Sequence, residues 1–203
     1  MELLSNITEE QFEVIQFLNK FTKGKWSLNE KTGLVDIEGN FNCSGITLNK
    51  GSRKKLKDFS GVRFGVVTGD FDCSFNELTS LEGAPQEVGR NFNCEGNELT
   101  SLKGAPQEVG GHFLCSDNKI TSLEGAPKKV DGFYCSGNKL TSLEGAPKKV
   151  GYDFWCNDNK LTSLVGAPRV VKGNFCCCYN ELTSLEGAPR KVEGLSNFSG
   201  RWE

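Results

Sequence analysis

The chain has 203 residues, a formal net charge of −2 and 25% charged residues. That length fits one domain, or one array with a small cap, and the near-neutral charge argues against wholesale nucleic-acid binding. No stretch is long and apolar enough to span a bilayer. Residues 1–6 carry neither a basic leader nor an apolar signal core, so a cytoplasmic location is expected.

Thr8 precedes Glu9, Glu10 and Gln11, the pattern of a capping box opening a helix. Val14, Phe17, Leu18 and Phe21 follow at steps that place them on one face, and Gly24 is read as the stop. Trp26 and Leu28, a turn at residues 29–33, and Leu34, Val35 and Ile37 then read as a β-hairpin. Residues 1–38 are accordingly expected to form a helix–hairpin cap over an apolar first coil.

The tripeptide Phe-x-Cys begins at Phe41, Phe71, Phe92, Phe113, Phe133, Phe154 and Phe175, and from the second copy the spacing is 20 or 21 residues. A fixed period of this size predicts a stacked, quasi-one-dimensional fold. Phe and Cys alternate with variable residues, the period of a strand with one buried face. The Asn three residues after each Cys is suited to bonding loop backbone. Leu-Thr-Ser-Leu closes the core and Gly-Ala-Pro turns the chain into an extended or irregular return. The unit at residues 120–139 lacks one residue between Val130 and Phe133. The solenoid is placed at 39–194, with irregular first repeats at 39–66. There Ile46 takes the Asn slot, residues 49–55 are inserted, and Phe59, Val62, Phe64 and Val66 rebuild a return segment. Lys50, Arg53, Lys54, Lys55 and Lys57 form a basic run, read as a solvated loop or a contact for phosphate or an acidic partner. Residues 195–203 are a C-terminal cap or tail, with Leu195, Phe198 and Trp202 over the last coil.

At Val130-Asp-Gly-Phe133-Tyr-Cys135-Ser-Gly-Asn138-Lys-Leu140 the chain resembles the leucine-rich repeat family, with Val, Phe and Cys in three Leu slots. Its LTSLEGAP and FxC phrases look like leucine-rich repeat proteins of bacteriophages and some bacteria. The resemblance implies a leucine-rich repeat solenoid, α/β by family class, with short parallel strands and irregular returns. It names a surface and no single activity. The expectation is a non-catalytic module binding another protein on its concave face. If the bacteriophage likeness holds, the partner is a host protein, and the sharpest version is an antagonist of host defence. The alternative is a virion or cell-surface adhesin for a glycan or receptor. No membrane, cofactor or small-molecule ligand is expected.

The outward column between Phe and Cys reads Asn42, Asp72, Asn93, then Leu114, Tyr134, Trp155, Cys176. A switch from polar to apolar marks a candidate binding strip; lateral stacking that stabilises the sheet is the other reading. The site is placed at Leu114, Tyr134 and Trp155, with His112, Asp153, Asn157, Cys176 and Tyr179 around it. Along the return the pairs change from Gln-Glu to a basic column: Lys128, Lys129, Lys148, Lys149, Arg169, Arg190 and Lys191. It suits an acidic protein surface, or serves solubility beside Glu124, Glu144 and Glu186. His112 stands alone, without a nucleophile at motif spacing. Seven cysteines at one repeat position read as packing groups, whose spacing fits no metal motif. Of the run at 176–178, two thiols are expected outward.

Overall fold

The computed structural model describes residues 8–45 and 55–197. The chain forms a parallel β-solenoid of about six turns at roughly 21-residue spacing, preceded by the single helix found among the described residues. Helix α1 (Glu9–Phe21) opens with the expected capping box: the Gln11 amide N–H donates to Thr8 Oγ1 at 3.2 Å, and the Thr8 amide donates to Gln11 Oε1 at 2.9 Å. Its buried face is Phe17, Leu18 and Phe21, with Val14 partly buried. The Phe17 and Phe21 rings lie 5.7 and 6.1 Å from Phe41, the first ring of the solenoid stack.

Strand β1 (Thr22–Asn29) pairs antiparallel with β2 (Leu34–Asn42). Gly24 does not stop the helix. The helix ends at Phe21, and Gly24 lies within β1 facing Gly39, both at positive φ. A Cβ on either glycine would run into a carbonyl of the opposite strand, so the pair permits a close backbone approach.

The C-terminal end of β2 is the first rung. From there Phe41, Phe71, Phe92, Phe113, Phe133, Phe154 and Phe175 pair in register as two-residue parallel strands. Their rings stack with centroids 5.1–5.7 Å apart and planes within 19°. All seven phenylalanines are fully buried, as are Cys43, Cys73, Cys94, Cys115, Cys135, Cys156 and Cys177. Several thiols also donate to the next coil, such as Cys94 Sγ to the Leu114 carbonyl at 3.3 Å.

The asparagines bind the coils together. Asn118 is representative: Nδ2 donates to the carbonyls of Cys94, Cys115 and Ser116 at 3.0–3.2 Å, and Oδ1 accepts the Leu99 N–H at 3.0 Å. Asn76, Asn97, Asn138, Asn159 and Asn180 repeat the arrangement. Each Asn therefore satisfies groups in its own and adjacent coils, which is where the buried loop backbone finds its partners.

The return side is extended. Glu87–Val88 and Glu108–Val109 continue a sheet from β3 (Phe64–Val67), and Lys149–Val150, Val170–Val171 and Lys191–Val192 form a second one. The short unit separates them, leaving only isolated bridges at Lys129 and Val130. Of the rebuilt return segment Phe59, Val62 and Phe64 are buried; in β3 Val67 is buried and Val66 is exposed. Ile46, Lys50, Arg53, Lys54 and most of the inserted segment lie outside the described residues, as do Phe198 and Trp202; Lys55 and Lys57 are exposed. Among the described residues no helix is long and apolar enough to cross a membrane.

Candidate functional site

The Phe-x-Cys sheet turns one column inward and presents the intervening residues to solvent. Leu114, Tyr134 and Cys176 are half-buried and Trp155 is 42% exposed. Register aligns Leu114 with Tyr134, Tyr134 with Trp155 and Trp155 with Cys176. Tyr134 and Trp155 meet edge to face at 5.5 Å, and His112 meets Tyr134 in the same way at 5.7 Å.

The polar half of this column has a local purpose. Asn42, Asp72 and Asn93 each use Oδ1 to accept the N–H two residues on, from Ser44, Ser74 and Glu95, at 3.0 Å. Such side-chain acceptors stabilise the turn that leaves each strand. Leu114, Tyr134 and Trp155 carry no side-chain acceptor near that N–H, whereas Cys176 Sγ accepts the Cys178 N–H in the same place. Leu114, Tyr134 and Trp155 each give up a hydrogen bond worth about 1 kcal/mol, and of these three only Tyr134 and Trp155 gain a ring contact in exchange. Leu114→Asn should restore the bond to Ser116 and leave stability in urea unfolding unchanged or about 0.5–1 kcal/mol higher, whereas Phe113→Ala, one residue earlier, should cost about 3–5 kcal/mol.

Asp153 is not an exposed rim residue. It is 6% exposed, and its Oδ1 accepts the Asn174 N–H at 2.7 Å. It belongs to a second ladder, in which Asn40, Asp70, Asn91 and Asn174 accept the corresponding N–H of the following coil at 2.8–3.1 Å. His112 and Gly132 interrupt that ladder for two coils. There His112 Nδ1 is buried without a hydrogen-bond partner, and a Cβ on Gly132 would lie 2.6 Å from it and 2.8 Å from the Tyr134 ring. Gly132 thus clears the space in which the His112 and Tyr134 rings meet.

Tyr152, 53% exposed, completes the cluster with its ring 5.7 Å from His112. It sits in the bend before the strand, where alternation carries no directional signal. Burial, then Asp153, then Tyr152 push the Tyr134 phenol up to about 12. Asn157 is half-buried, with Oδ1 2.6 Å from Ser136 Oγ and Nδ2 donating to Asp158. Tyr179 is 74% exposed at φ 54, in a column otherwise filled by Gly96, Asp117, Gly137, Asp158 and Phe75. Left-handed backbone suits Gly and Asp and strains a bulky residue by about 1–2 kcal/mol. Cys178 is 7% exposed, so only Cys176 of the expected two thiols is substantially open.

Towards the N-terminal end the same face is polar and carries both signs of charge, with Lys23 beside the carboxylates and Arg90 3.9 Å from Asp70. Asp70, Asp72, Asn91 and Asn93 line an open groove of about 330 Å³ that ends at His112 and Leu114. Burial, then Asp117 and Asp72, raise the Glu95 carboxyl above its usual range. On the return side all seven members of the basic column are exposed. Lys191 pairs with Glu193 at 2.6 Å, and the other six have no carboxylate within 4.0 Å among the described residues. Glu124, Glu144 and Glu186 therefore do not pair with them. No group of three or more His, Cys, Asp or Glu among the described residues is arranged to hold a metal ion.

Compared with protein-family models, curated proteins and solved structures, the chain matches none of them.

Proposed function

We propose that this chain is a non-catalytic binding module of the leucine-rich repeat type, whose Phe-x-Cys face is concave and engages another protein. The observation that carries the reading is the forfeited turn bonds. At Leu114, Tyr134 and Trp155 the repeat gives up a stabilising acceptor and presents half-buried or exposed apolar side chains, in three consecutive coils. Aromatic side chains in such a strip are the usual anchors of an interface. The polar groove beside it, lined by Asp70, Asp72 and Lys23, offers charged and hydrogen-bonding groups next to an apolar anchor. The strained, exposed Tyr179 supports the same reading, since strain kept at an exposed side chain points to use. Helix α1 and the β1–β2 pair serve as the cap of the first coil. A host protein as partner, and inhibition of host defence, rest on the likeness to bacteriophage repeats.

Trp155→Ala is expected to leave thermal unfolding nearly unchanged and to weaken partner binding by about 2 kcal/mol or more, roughly 30-fold. The partner would be captured from bacterial lysate on the wild-type chain and titrated calorimetrically against both forms; equal affinity removes the site. The second reading is a glycan receptor, favoured by the exposed rings of Tyr152 and Trp155. Glycan-array binding lost in Trp155→Ala, with no protein captured, would select it.

A further inference from the structure

Two of the nine cysteines stand outside the buried repeat column. Cys177 alone fills the core position of its coil, and Cys176 and Cys178 flank it with Sγ atoms 3.1 Å apart. Another coil shows the same approach. In an earlier coil the same two positions hold Asp72 and Ser74, whose Oδ1 and Oγ lie 2.6 Å apart. The chain bends there on its way to the left-handed residue at 75 or 179, which brings positions two apart into contact. At Asp72 and Ser74 that contact is a hydrogen bond. Only at 176 and 178 are both groups thiols.

We propose that Cys176 and Cys178 form a dithiol that closes to an intramolecular disulfide by exchange with a small-molecule disulfide, while the seven core thiols stay reduced. Exposure assigns the order. Half-buried Cys176 meets the reagent, and Cys178, 7% exposed, lies behind it. The Cys176 thiolate attacks one sulfur of the reagent, the reagent's S–S bond breaks, and one small thiolate leaves and takes up a proton. The Cys178 thiolate then attacks Cys176 Sγ, the mixed disulfide breaks, and the second small thiol departs. Two electrons pass to the reagent, and the protons of the two cysteines end on the two small thiols. Burial, then the Cys178 thiol and the Asp158 charge, hold the Cys176 thiol up at about 11, against the lowering effect of the Cys178 N–H. The exchange is therefore slow at neutral pH and accelerates with the thiolate fraction, about tenfold per pH unit.

The test uses the full chain incubated with oxidised glutathione between pH 7 and 8.5, quenched with acid, alkylated and mapped by mass. The expected product joins Cys176 to Cys178, is two hydrogens lighter and retains no glutathione. Cys178→Ser should stop with one glutathione on Cys176, and Cys176→Ser should leave Cys178 reduced. A stable glutathione adduct on the wild-type chain, oxidation of core cysteines at the same rate, or no reaction at pH 8.5 overturns the proposal. The wild-type result stands by itself if either variant misfolds.

Discussion

Raising the pH from 8.5 to 10 is expected to unfold this chain. Burial pushes the thiols of Cys43, Cys73, Cys94, Cys115, Cys135 and Cys156 well above the ordinary range, and that of Cys177 to about 12. In the unfolded chain the same thiols ionise at about 8.5. Below that pH both states hold the protons and the contribution to stability is complete. Above it the unfolded state releases protons that the folded state retains, so stability falls as pH rises. Each thiol then removes about 1.4 kcal/mol per pH unit. Seven together withdraw on the order of 10 kcal/mol by pH 10, comparable with the whole stability of a domain. Near-ultraviolet circular dichroism under reducing conditions should show a cooperative transition at about pH 9.5–10. A signal flat to pH 11 would mean that the thiols are not sealed in the core.

Asn118→Ala is expected to cost about 3 kcal/mol in urea unfolding. The Cys94 carbonyl keeps a bond from Asn97, and the Cys115 carbonyl keeps one from Asn138. The Leu99 N–H has no such second partner and is left buried and unsatisfied, since Leu99 is fully enclosed. That orphan costs about 1–3 kcal/mol, and the weakened acceptors add to it. Asn118→Asp tests the assignment of the amide. It keeps an acceptor for Leu99 but turns a carboxylate oxygen towards three carbonyls, so it should be at least as damaging at neutral pH. A loss below about 1 kcal/mol for Asn118→Ala would show that the ladder is not what holds neighbouring coils together.

Much of the Phe-x-Cys face depends on groups whose roles differ although their residue types look alike. Asp72 and Asp153 are both acidic and near the strands, yet Asp72 closes the turn of its own coil and Asp153 bonds the next coil. Only the hydrogen-bond geometry separates those roles. Leu114, Tyr134, Trp155 and Cys176 were readable as one outward column, because they fall inside the strands. Tyr152 and Cys178 each lie two residues beyond a strand, and there the chain bends.

The repeat spacing, read without coordinates, determined the stacked architecture, the buried Phe and Cys columns and the inward Asn. In a quasi-one-dimensional fold each coil packs on its neighbours, so position within the period sets position in space. Tertiary structure alone decided that Gly24 sits in a strand, that Asp153 is a ladder rung, and that Cys178 turns inward beside Cys176. The reason is strand length. With only two residues in each rung, alternation sets the direction of two side chains, and the bends between rungs, closed by contacts from adjacent coils, orient the rest.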